Sequence, residues 1–475
     1  MPGSGDDQRR ILEAGLARHR AGDWPGAETH YRAALARFPG LADARHLLGL
    51  ALAQQGRAAE GLAEIEAAIA ADPAAAAYRG NLAKLLARLG RTAEAETSYR
   101  AVLARQPDDA DALYNLAELL AQQRRFPEAI ACLRRLHAQL PDEPAVANAL
   151  AASLVRDGRP DAALPLLEAV TARQPDFAEA QHNRATALAD LGRIAESEAA
   201  AGEAIRANPG LSGAQWHLGL CRYDAGDLTG AAAAFRRAAA GQPAFPLAAV
   251  YLEIAEAPAG TPAGTPEAGE DIGALREAWN YRQQAGDPGL PAFGFKASHL
   301  RHALAACRLS GLYLEFGVYT GRSITVIAET LRESLGNEIP VHGFDSFEGL
   351  PEDWIEGEDK GAYNAGGKLP EVPDNVWLHP GWFDDSLPVF LRQQKARVAF
   401  ANIDCDIYSS TRSVLEQLAG RLEPGSVLVF DEYFAYPGWR DHEFKAFQEF
   451  AAARGLGYEY LALSPFTRQA TLRLT

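Results

Sequence analysis

Seven prolines recur at a constant interval of 34 residues along the first half of the chain. They are Pro39, Pro73, Pro107, Pro141, Pro175, Pro209 and Pro243. A helix rarely runs through proline, because its ring removes the backbone N–H and crowds the preceding turn. Each proline therefore marks the end of one unit. A period of this length predicts a pair of helices that repeats and stacks into a superhelix.

Small residues recur with the same 34-residue period at two other positions of the repeat. One set lies in the predicted first helix of each unit: Gly15, Gly49, Ala83, Ala117, Ala151, Ala185 and Gly219. The other set lies in the predicted second helix: Ala27, Gly61, Ala95, Ala129, Ala163, Ser197 and Ala231. Helices that pack closely need small side chains where they touch. With these positions and the prolines, residues 8–255 resemble a tetratricopeptide-repeat array of seven repeats (8–243) and a capping helix (244–254).

The bulk composition narrows the possible classes of function. The chain has 475 residues, enough for two or three domains. Its 62 acidic and 46 basic residues give a net charge of −16, which argues against a nucleic-acid-binding protein. The four cysteines are far apart, so we expect neither a disulfide framework nor a zinc site. The sequence has no apolar run of 18 residues and no signal-like start, so we expect a cytoplasmic protein without membrane contact.

The pattern changes after the repeats. Residues 256–273 are rich in Pro, Gly and Thr and are predicted to form a linker. In residues 274–475, two helical stretches (274–285 and 297–309) precede short apolar runs that alternate with helical patterns. The runs are 312–318, 340–344, 376–379, 398–403 and 426–430. They predict a doubly wound α/β domain with a mostly parallel sheet, and 457–463 with 469–474 predict an antiparallel hairpin at its end.

A glycine-containing loop follows the first predicted strand. The segment EFGVYTGRS places Glu315 at the strand end and Gly317 and Gly321 before a helix. Backbone without side chains lets a nucleoside ligand approach, and the helix start offers free N–H groups. Tyr319 stands where a second glycine is common in such loops. A purely structural turn is the alternative at this point.

The second predicted strand ends in an acid. Asp345, in HGFDSFEGLP, lies where the carboxylate accepts the two ribose hydroxyls of a nucleotide in doubly wound folds. A hydride-transfer enzyme is therefore an alternative here, although the rest of the sequence disfavours it.

Carboxylates follow the fourth and fifth predicted strands. Asp404, Asp431 and Glu432 should meet at the same edge of the sheet, where three close carboxylates need a cation. Oxygen ligands without His or Cys favour Mg²⁺. Asp406 should share the face of Asp404 as an outer partner, and Cys405 should point the other way and pack. The alternative is that the acids only cap the helices that follow.

Together these motifs resemble a known family. EFGVYTGRS, GFDSFEGLP, HPGWFDDSLP, IDCDIYSST and DEY…YPGWRDHEFKAFQEF make residues 310–475 similar to the TylF/MycF/NovP family of S-adenosylmethionine-dependent O-methyltransferases. That family has the class I methyltransferase fold and acts on sugar hydroxyls in macrolide and aminocoumarin pathways.

The resemblance implies roles for individual residues. Five would contact the S-adenosylmethionine cofactor: Glu315, Gly317, Gly321, Asp345 and Ser346. Trp382 and Phe383 would lie near its adenine. Asp404, Asp431 and Glu432 would match the metal positions, with Glu432 where the family often has Asp and Cys405 where Gly is common.

The expected chemistry is transfer of the sulfonium methyl group to an acceptor hydroxyl. A metal ion that binds two vicinal oxygens would acidify the hydroxyl, and Asp404 is the candidate general base. Arg440 and His442 are further candidates for substrate contact, with ordinary solvated side chains as the alternative. The segment 352–373 is predicted to be a lid, with disorder as the alternative.

The repeats are predicted to recruit rather than to catalyse. Asn81, Asn115 and Asn183 occupy one position of the first helix in three repeats, and such a ladder could bind a peptide backbone. Homo-oligomerisation, or docking of a carrier or biosynthetic partner, is the alternative. For the whole chain, the alternatives to a hydroxyl-directed enzyme are a non-catalytic interaction scaffold and methylation of a protein or protein-linked glycan.

Overall fold

The computed structural model describes residues 4–241, 246–256, 270–285, 289–335, 339–355 and 357–475, with side chains from Gln8 onward. The chain forms two compact units, Met1–Leu154 and Val155–Thr475. The second unit therefore begins within the repeats and not at the predicted domain boundary near residue 255.

Each repeat consists of two consecutive helices, as the proline period predicts. Their helices are α1 (Ser4–Arg20), α2 (Trp24–Arg37), α3 (Ala42–Gln54), α4 (Ala58–Ala71), α5 (Ala76–Arg88), α6 (Thr92–Arg105), α7 (Ala110–Gln122), α8 (Phe126–Gln139), α9 (Pro144–Arg156), α10 (Pro160–Arg173), α11 (Ala178–Asp190), α12 (Ile194–Ala207), α13 (Ser212–Asp224) and α14 (Leu228–Ala240). The predicted capping helix is α15 (Pro246–Glu256).

The periodic positions have the roles that the sequence predicts. Pro39 lies two residues beyond the end of α2, and the other described prolines of the series follow α4, α6, α8, α10 and α12 in the same way. Pro243 lies outside the described residues. Gly49 and Gly61 face each other, since a Cβ on either would approach the other's carbonyl oxygen to 2.6 Å. Only glycine lets these two helices pack so closely.

The remaining elements form the α/β domain. They are α16 (Glu270–Ala285), α17 (Lys296–Ala306), β1 (Leu312–Phe316), α18 (Arg322–Leu335), β2 (Val341–Asp345), β3 (Val376–Pro380), α19 (Phe383–Gln393), β4 (Val398–Ile403), α20 (Tyr408–Leu418), β5 (Val427–Phe430), α21 (Glu443–Arg454), β6 (Tyr458–Ser464) and β7 (Gln469–Leu474). The sheet has the order β3-β2-β1-β4-β5-β7-β6. β1 to β5 are parallel, and β7 runs antiparallel to both β5 and β6.

This architecture confirms the predicted fold class. All five apolar runs are strands, and the closing hairpin is present. The helix predicted at 274–285 begins earlier, at Glu270. Of the predicted linker, residues 257–269 lie outside the described part of the chain. No helix within the described ranges has the length and apolar character needed to cross a membrane.

The core of the second unit joins the last repeats to the α/β domain. Leu220 of α13, Phe235 of α14 and Tyr251 of α15 belong to one cluster of buried residues that also holds Trp279 and the inner side chains of β1, β4 and β5. Phe466, in the β6–β7 turn, packs against the ring of Tyr251 with centroids 4.6 Å apart. The last repeats are thus part of the hydrophobic core on which the sheet rests.

Candidate active site

The loop after β1 requires its two glycines. Gly317 has a φ of +91°, and a Cβ there would lie 1.9 Å from the carbonyl oxygen of Asp404. Gly321 has a φ of +83° and packs against Val372. Tyr319, which replaces the glycine common in such loops, also adopts a left-handed conformation, with a φ of +46°. The loop therefore keeps a glycine-type backbone without the middle glycine.

Asp345 fixes this loop. Its Oδ2 atom accepts hydrogen bonds from the backbone N–H groups of Val318 and Tyr319, both at 2.7 Å, and its Oδ1 atom accepts one from Phe347 at 2.6 Å. A carboxylate has about four acceptor positions, so three are already used. Asp345 can therefore accept a hydrogen bond from one ribose hydroxyl, and not from both as predicted from the sequence.

Glu315 lies beneath the loop, fully buried. Its Oε1 atom accepts a hydrogen bond from Asn402 Nδ2 at 2.8 Å. Its Oε2 atom is buried and has no partner among the described residues. Burial raises the pKa of this carboxyl to about 8, although the hydrogen bond from Asn402 opposes the change.

A cavity of about 270 Å³ opens above the loop, and we call it the cofactor cavity. Gly317, Asp345, Ser346, Trp382 and Phe383 line it, as predicted for a nucleoside cofactor. The aromatic side chains provide an apolar face for a base, and Asp345 provides an acceptor for a ribose. These residues fit the nucleoside part of S-adenosylmethionine. Gly321 and Glu315 do not line the cavity but shape the loop that does.

Two of the three predicted metal ligands, Asp431 and Glu432, are paired with side chains of the protein. Lys296, the first residue of α17, places its Nζ against Asp431 Oδ2 and 3.2 Å from Glu432 Oε1. Gln469 Nε2 donates to Asp431 Oδ1 at 2.5 Å, and Arg468 Nη1 lies 3.3 Å from Glu432 Oε2. All four oxygens of Asp431 and Glu432 thus have a partner.

This arrangement does not fit a divalent ion. Lys296 and Arg468 already supply these two carboxylates with the positive charge that a metal ion would otherwise provide. Within the described residues, no group of three or more His, Cys, Asp or Glu side chains is arranged to hold a metal. The magnesium ion predicted from the sequence is therefore unsupported by the geometry of these side chains.

Asp404 has the properties of a general base. Its carboxyl lines the cofactor cavity and also a second cavity beside it. Burial and the neighbouring Asp431 raise its pKa well above the ordinary value for Asp. A carboxylate with a raised pKa takes up a proton more readily near neutral pH.

The alternation of side chains between the two faces of β4 does not continue to Cys405 and Asp406. β4 ends at Ile403, and Asp406 has a φ of +60°. Asp404, Cys405 and Asp406 all border the cofactor cavity, while the Cys405 side chain is buried in the hydrophobic core with its Sγ 3.9 Å from the Phe316 carbonyl oxygen.

The second cavity has a volume of about 350 Å³. Its lining residues are Ala189, Asp190, Gly294, Phe295, Lys296, Ala297, Leu300, Arg322, Ser323, Val326, Asp404, Asp431, Glu432, Phe466, Thr467 and Arg468. Lys296, Arg322, Ser323, Asp404, Asp431 and Glu432 line both cavities. Two ligands bound side by side would meet at these shared residues.

Comparisons with known proteins agree with both parts of the fold. A tetratricopeptide-repeat family model matches residues 12–76, 81–144, 148–212 and 182–249, and a methyltransferase-domain model matches residues 314–433. The chain therefore contains tetratricopeptide repeats and a methyltransferase domain.

Two of the curated relatives are enzymes of actinobacteria. The 8-demethyl-8-(2,3-dimethoxy-alpha-L-rhamnosyl)-tetracenomycin-C 4'-O-methyltransferase of Streptomyces olivaceus is 33% identical over 144 residues, which cover 26% of this chain and 53% of that enzyme. Mycinamicin III 3''-O-methyltransferase of Micromonospora griseorubida is 26% identical over 175 residues, or 32% of this chain and 67% of that enzyme. The chain thus spans about half the length of the first relative.

The repeats also match solved structures. A tetratricopeptide repeat protein from Parabacteroides merdae is 18% identical and aligns with 53% of this chain and 99% of its own, with a TM-score of 0.43.

Two predicted substrate contacts lie elsewhere in the methyltransferase domain. Arg440 donates to Glu277 Oε1 at 2.7 Å and stacks on Trp439, and it lines neither cavity. His442 lies beside the rings of Trp354 and Tyr436, also outside both cavities, and burial lowers its pKa. The structure does not bring these two residues to Asp404.

The segment predicted as a lid, 352–373, packs against the methyltransferase domain. Apart from Glu356, which lies outside the described residues, it consists of turns and irregular backbone. Tyr363 lines the cofactor cavity, and its ring meets that of Tyr319 edge to face at 5.7 Å. Ser409 donates to Glu352 at 2.6 Å. The segment thus covers one side of the cofactor cavity.

Sequence reasoning missed Glu443, which ties two strand ends together. This buried residue begins α21. Its Oε1 atom accepts the backbone N–H groups of Cys405 at 3.0 Å and Asp406 at 3.2 Å, and its Oε2 atom accepts that of Glu432 at 3.1 Å. The segments after β4 and β5 therefore have a common anchor.

We expect Glu443→Gln to disturb the site through this anchor. The amide nitrogen would face a backbone N–H, which leaves a buried donor unpaired and costs about 1–3 kcal/mol of folding free energy. Thermal denaturation should show the loss. The exposed Glu449→Gln on the same helix should leave the unfolding temperature nearly unchanged, and equal stability of the two variants would contradict the anchoring role.

Proposed function

We propose that this protein transfers the methyl group of S-adenosylmethionine to a hydroxyl of a sugar or glycosylated metabolite. The observation that carries the proposal is the meeting of two cavities at Asp404, one of which fits the cofactor. The names of the relatives support an oxygen acceptor, and one of them names a rhamnosyl-bearing compound.

The protein side of the reaction centres on Asp404. The cofactor, when bound, supplies an electrophilic methyl group. Asp404 would take the proton from the acceptor hydroxyl as its oxygen attacks the methyl group, so that the C–O bond forms while the C–S bond of the cofactor breaks and S-adenosylhomocysteine is left. Holding the two reactants side by side makes the encounter effectively unimolecular.

Two fixed cations lie at the same point. Lys296 and Arg322 line both cavities beside Asp404. Positive charge placed where an oxygen becomes negative stabilises the transition state. These side chains can do for the acceptor oxygen what the sequence assigned to a metal ion, and no step of this mechanism uses a metal.

We propose a separate role in partner binding for the first unit. It contains a cavity of about 680 Å³, whose lining includes Asn81, Lys84 and Tyr99. The predicted asparagine ladder is partly engaged already, because Asn81 Nδ2 lies 3.0 Å from His46 Nε2 and Asn115 Nδ2 donates to the Asp111 carbonyl at 2.6 Å. A peptide would therefore have to bind mainly through other groups of this surface.

Methyl transfer to a panel of methyl glycosides, with radiolabelled cofactor, tests the proposed function. We expect labelled product with the full chain, and a loss of about 100-fold or more in kcat for Asp404→Asn, as for removal of a general base. Affinity for S-adenosylhomocysteine, measured by calorimetry, should change little. The exposed Asp385→Asn is the matched control. A protein that binds the cofactor product but methylates no hydroxyl would instead be a non-catalytic scaffold.

A further inference from the structure

We propose that Asp190, in the sixth repeat, binds the sugar acceptor in the second cavity, so that the repeats form part of the acceptor site. This inference rests on the proposed function and deepens it. It differs from the sequence prediction that the repeats recruit rather than catalyse.

The position of Asp190 is the first support. It is the last residue of α11, and with Ala189 it contributes the repeats' side of the second cavity. Its Oδ2 atom accepts a hydrogen bond from Arg322 Nη1 at 3.0 Å. Arg322 is the first residue of α18, directly after the glycine loop. The repeat acid is therefore linked through one side chain to the loop that binds the cofactor.

Asp190 retains capacity for a ligand. A carboxylate accepts about four hydrogen bonds, and the contact with Arg322 uses one of these positions. The side chains of both residues keep partial exposure, 25% for Asp190 and 36% for Arg322. Burial raises the pKa of Asp190, while Arg322 opposes this change. The pair thus presents a carboxylate with a fixed orientation to the cavity.

The repeats are held against the methyltransferase domain by close contacts. The Asp224 carboxylate of α13 accepts the backbone N–H of Gly294. A Cβ on Gly294 would lie 2.9 Å from the carbonyl oxygen of Leu220. In the fifth repeat, a Cβ on Gly158 would lie 2.5 Å from Thr320 Oγ1, in the glycine loop. Packing of this kind fixes Asp190 relative to Asp404 as firmly as a residue within one domain.

The chemistry of the second cavity suits a sugar. Four acids and three bases line it: Asp190, Asp404, Asp431, Glu432, Lys296, Arg322 and Arg468. Each sugar hydroxyl both donates and accepts a hydrogen bond, so it can pair with acids and bases together. An apolar ligand would cover these polar groups and offer no hydrogen bonds to their remaining donor and acceptor positions, which is costly. The volume of about 350 Å³ is near the lower end of small-molecule sites, which suits a single sugar unit.

The test is a kinetic comparison of the full chain with Asp190→Ala and Asp190→Asn. The probe is the methyl glycoside that the wild-type protein methylates best. We expect kcat/KM for this glycoside to fall about 10- to 100-fold in Asp190→Ala, mainly through KM, as for loss of a hydrogen bond to a charged group. The dissociation constant of S-adenosylhomocysteine should change less than about threefold.

The control is Glu196→Ala, in the same repeat. Glu196 is exposed on α12, pairs with Arg193 and lies outside both cavities, so its loss should leave KM unchanged. Unchanged glycoside kinetics in Asp190→Ala would overturn the inference. An equally large loss of affinity for S-adenosylhomocysteine would also overturn it, because Asp190 would then only position Arg322. If Asp190→Ala unfolds, Asp190→Asn keeps the size of the side chain and decides the question.

A binding measurement keeps this inference separate from the proposed function. If the wild-type protein methylates no glycoside, saturation-transfer NMR of the same glycosides decides between the two. Binding that Asp190→Ala abolishes would support the acceptor site while the transfer reaction fails. Binding that is absent from the wild type, or equal in both proteins, would overturn the role of Asp190.

Discussion

A fragment that begins at residue 274, and so contains only the predicted methyltransferase domain, is expected to aggregate or to unfold far below the full chain. Leu220, Phe235 and Tyr251 would be missing from the core that they share with Trp279 and the central strands. Each large buried apolar side chain contributes roughly 1.5–3 kcal/mol, and a domain has only about 5–15 kcal/mol of stability in all. Loss of these three side chains, about 4.5–9 kcal/mol, is therefore comparable with the whole stability of the domain.

A fragment that begins at residue 144 is the control. It keeps α9 whole and the entire second compact unit, Val155–Thr475. We expect it to be soluble, to unfold cooperatively and to bind S-adenosylhomocysteine, as measured by size-exclusion chromatography, thermal denaturation and calorimetry. A stable 274–475 fragment that methylates a free glycoside at the rate of the full chain would contradict the shared core. It would restore the sequence prediction that the repeats only recruit.

The fold could be predicted from the sequence because its signals are local. A proline every 34 residues ends each second helix, whatever the helices pack against. The run at 398–403 is apolar except for Asn402, and it is β4 with the same ends, since a strand buried on both faces needs a nearly continuous apolar run. The glycine at position 317 is also a local signal, because its left-handed backbone conformation disfavours other residues.

The composition of the site could be predicted only in part, because its missing members come from distant elements. Asp190 lies in a repeat and Lys296 at the start of α17, and only the tertiary packing brings them to Asp404. Glu443 was inside a recognised motif, but its hydrogen bonds to backbone groups leave no mark in a sequence. For Lys296 a weak signal existed: it is one of only six lysines in an arginine-rich chain, placed between apolar residues.

The prediction about magnesium shows the limit of reasoning from residue types. Carboxylates that converge at strand ends need positive charge, and that part of the argument holds for Asp431 and Glu432. The sequence could not tell whether a metal ion or a side chain provides it. In the structure the charge comes from Lys296 and Arg468, which reach the cluster from opposite ends of the domain sequence.

We expect Lys296→Met to lower kcat about 100-fold, the scale of losing one preorganised donor at a reacting oxygen. The methionine keeps the length of the side chain but leaves Asp431 and Glu432 without the ammonium group between them. Thermal denaturation should also show a loss of roughly 1–3 kcal/mol, below that of a fully buried pair, because the Lys296 side chain is 36% exposed. The exposed Lys445→Met on α21 is the matched control.

The effect of EDTA and Mg²⁺ on turnover distinguishes Lys296 from a metal ion as the source of positive charge. Because Lys296 and Arg468 already supply the positive charge that a metal ion would otherwise provide, wild-type turnover should persist in EDTA and gain nothing from added Mg²⁺. In Lys296→Met the two carboxylates keep only Arg468 as a counter-ion, so millimolar Mg²⁺ should bind there and restore part of the activity. Both arms use the same glycoside assay. Abolition of wild-type turnover by EDTA, with recovery in Mg²⁺, would mean that Lys296 gives way to a metal during the reaction and that the sequence prediction was correct.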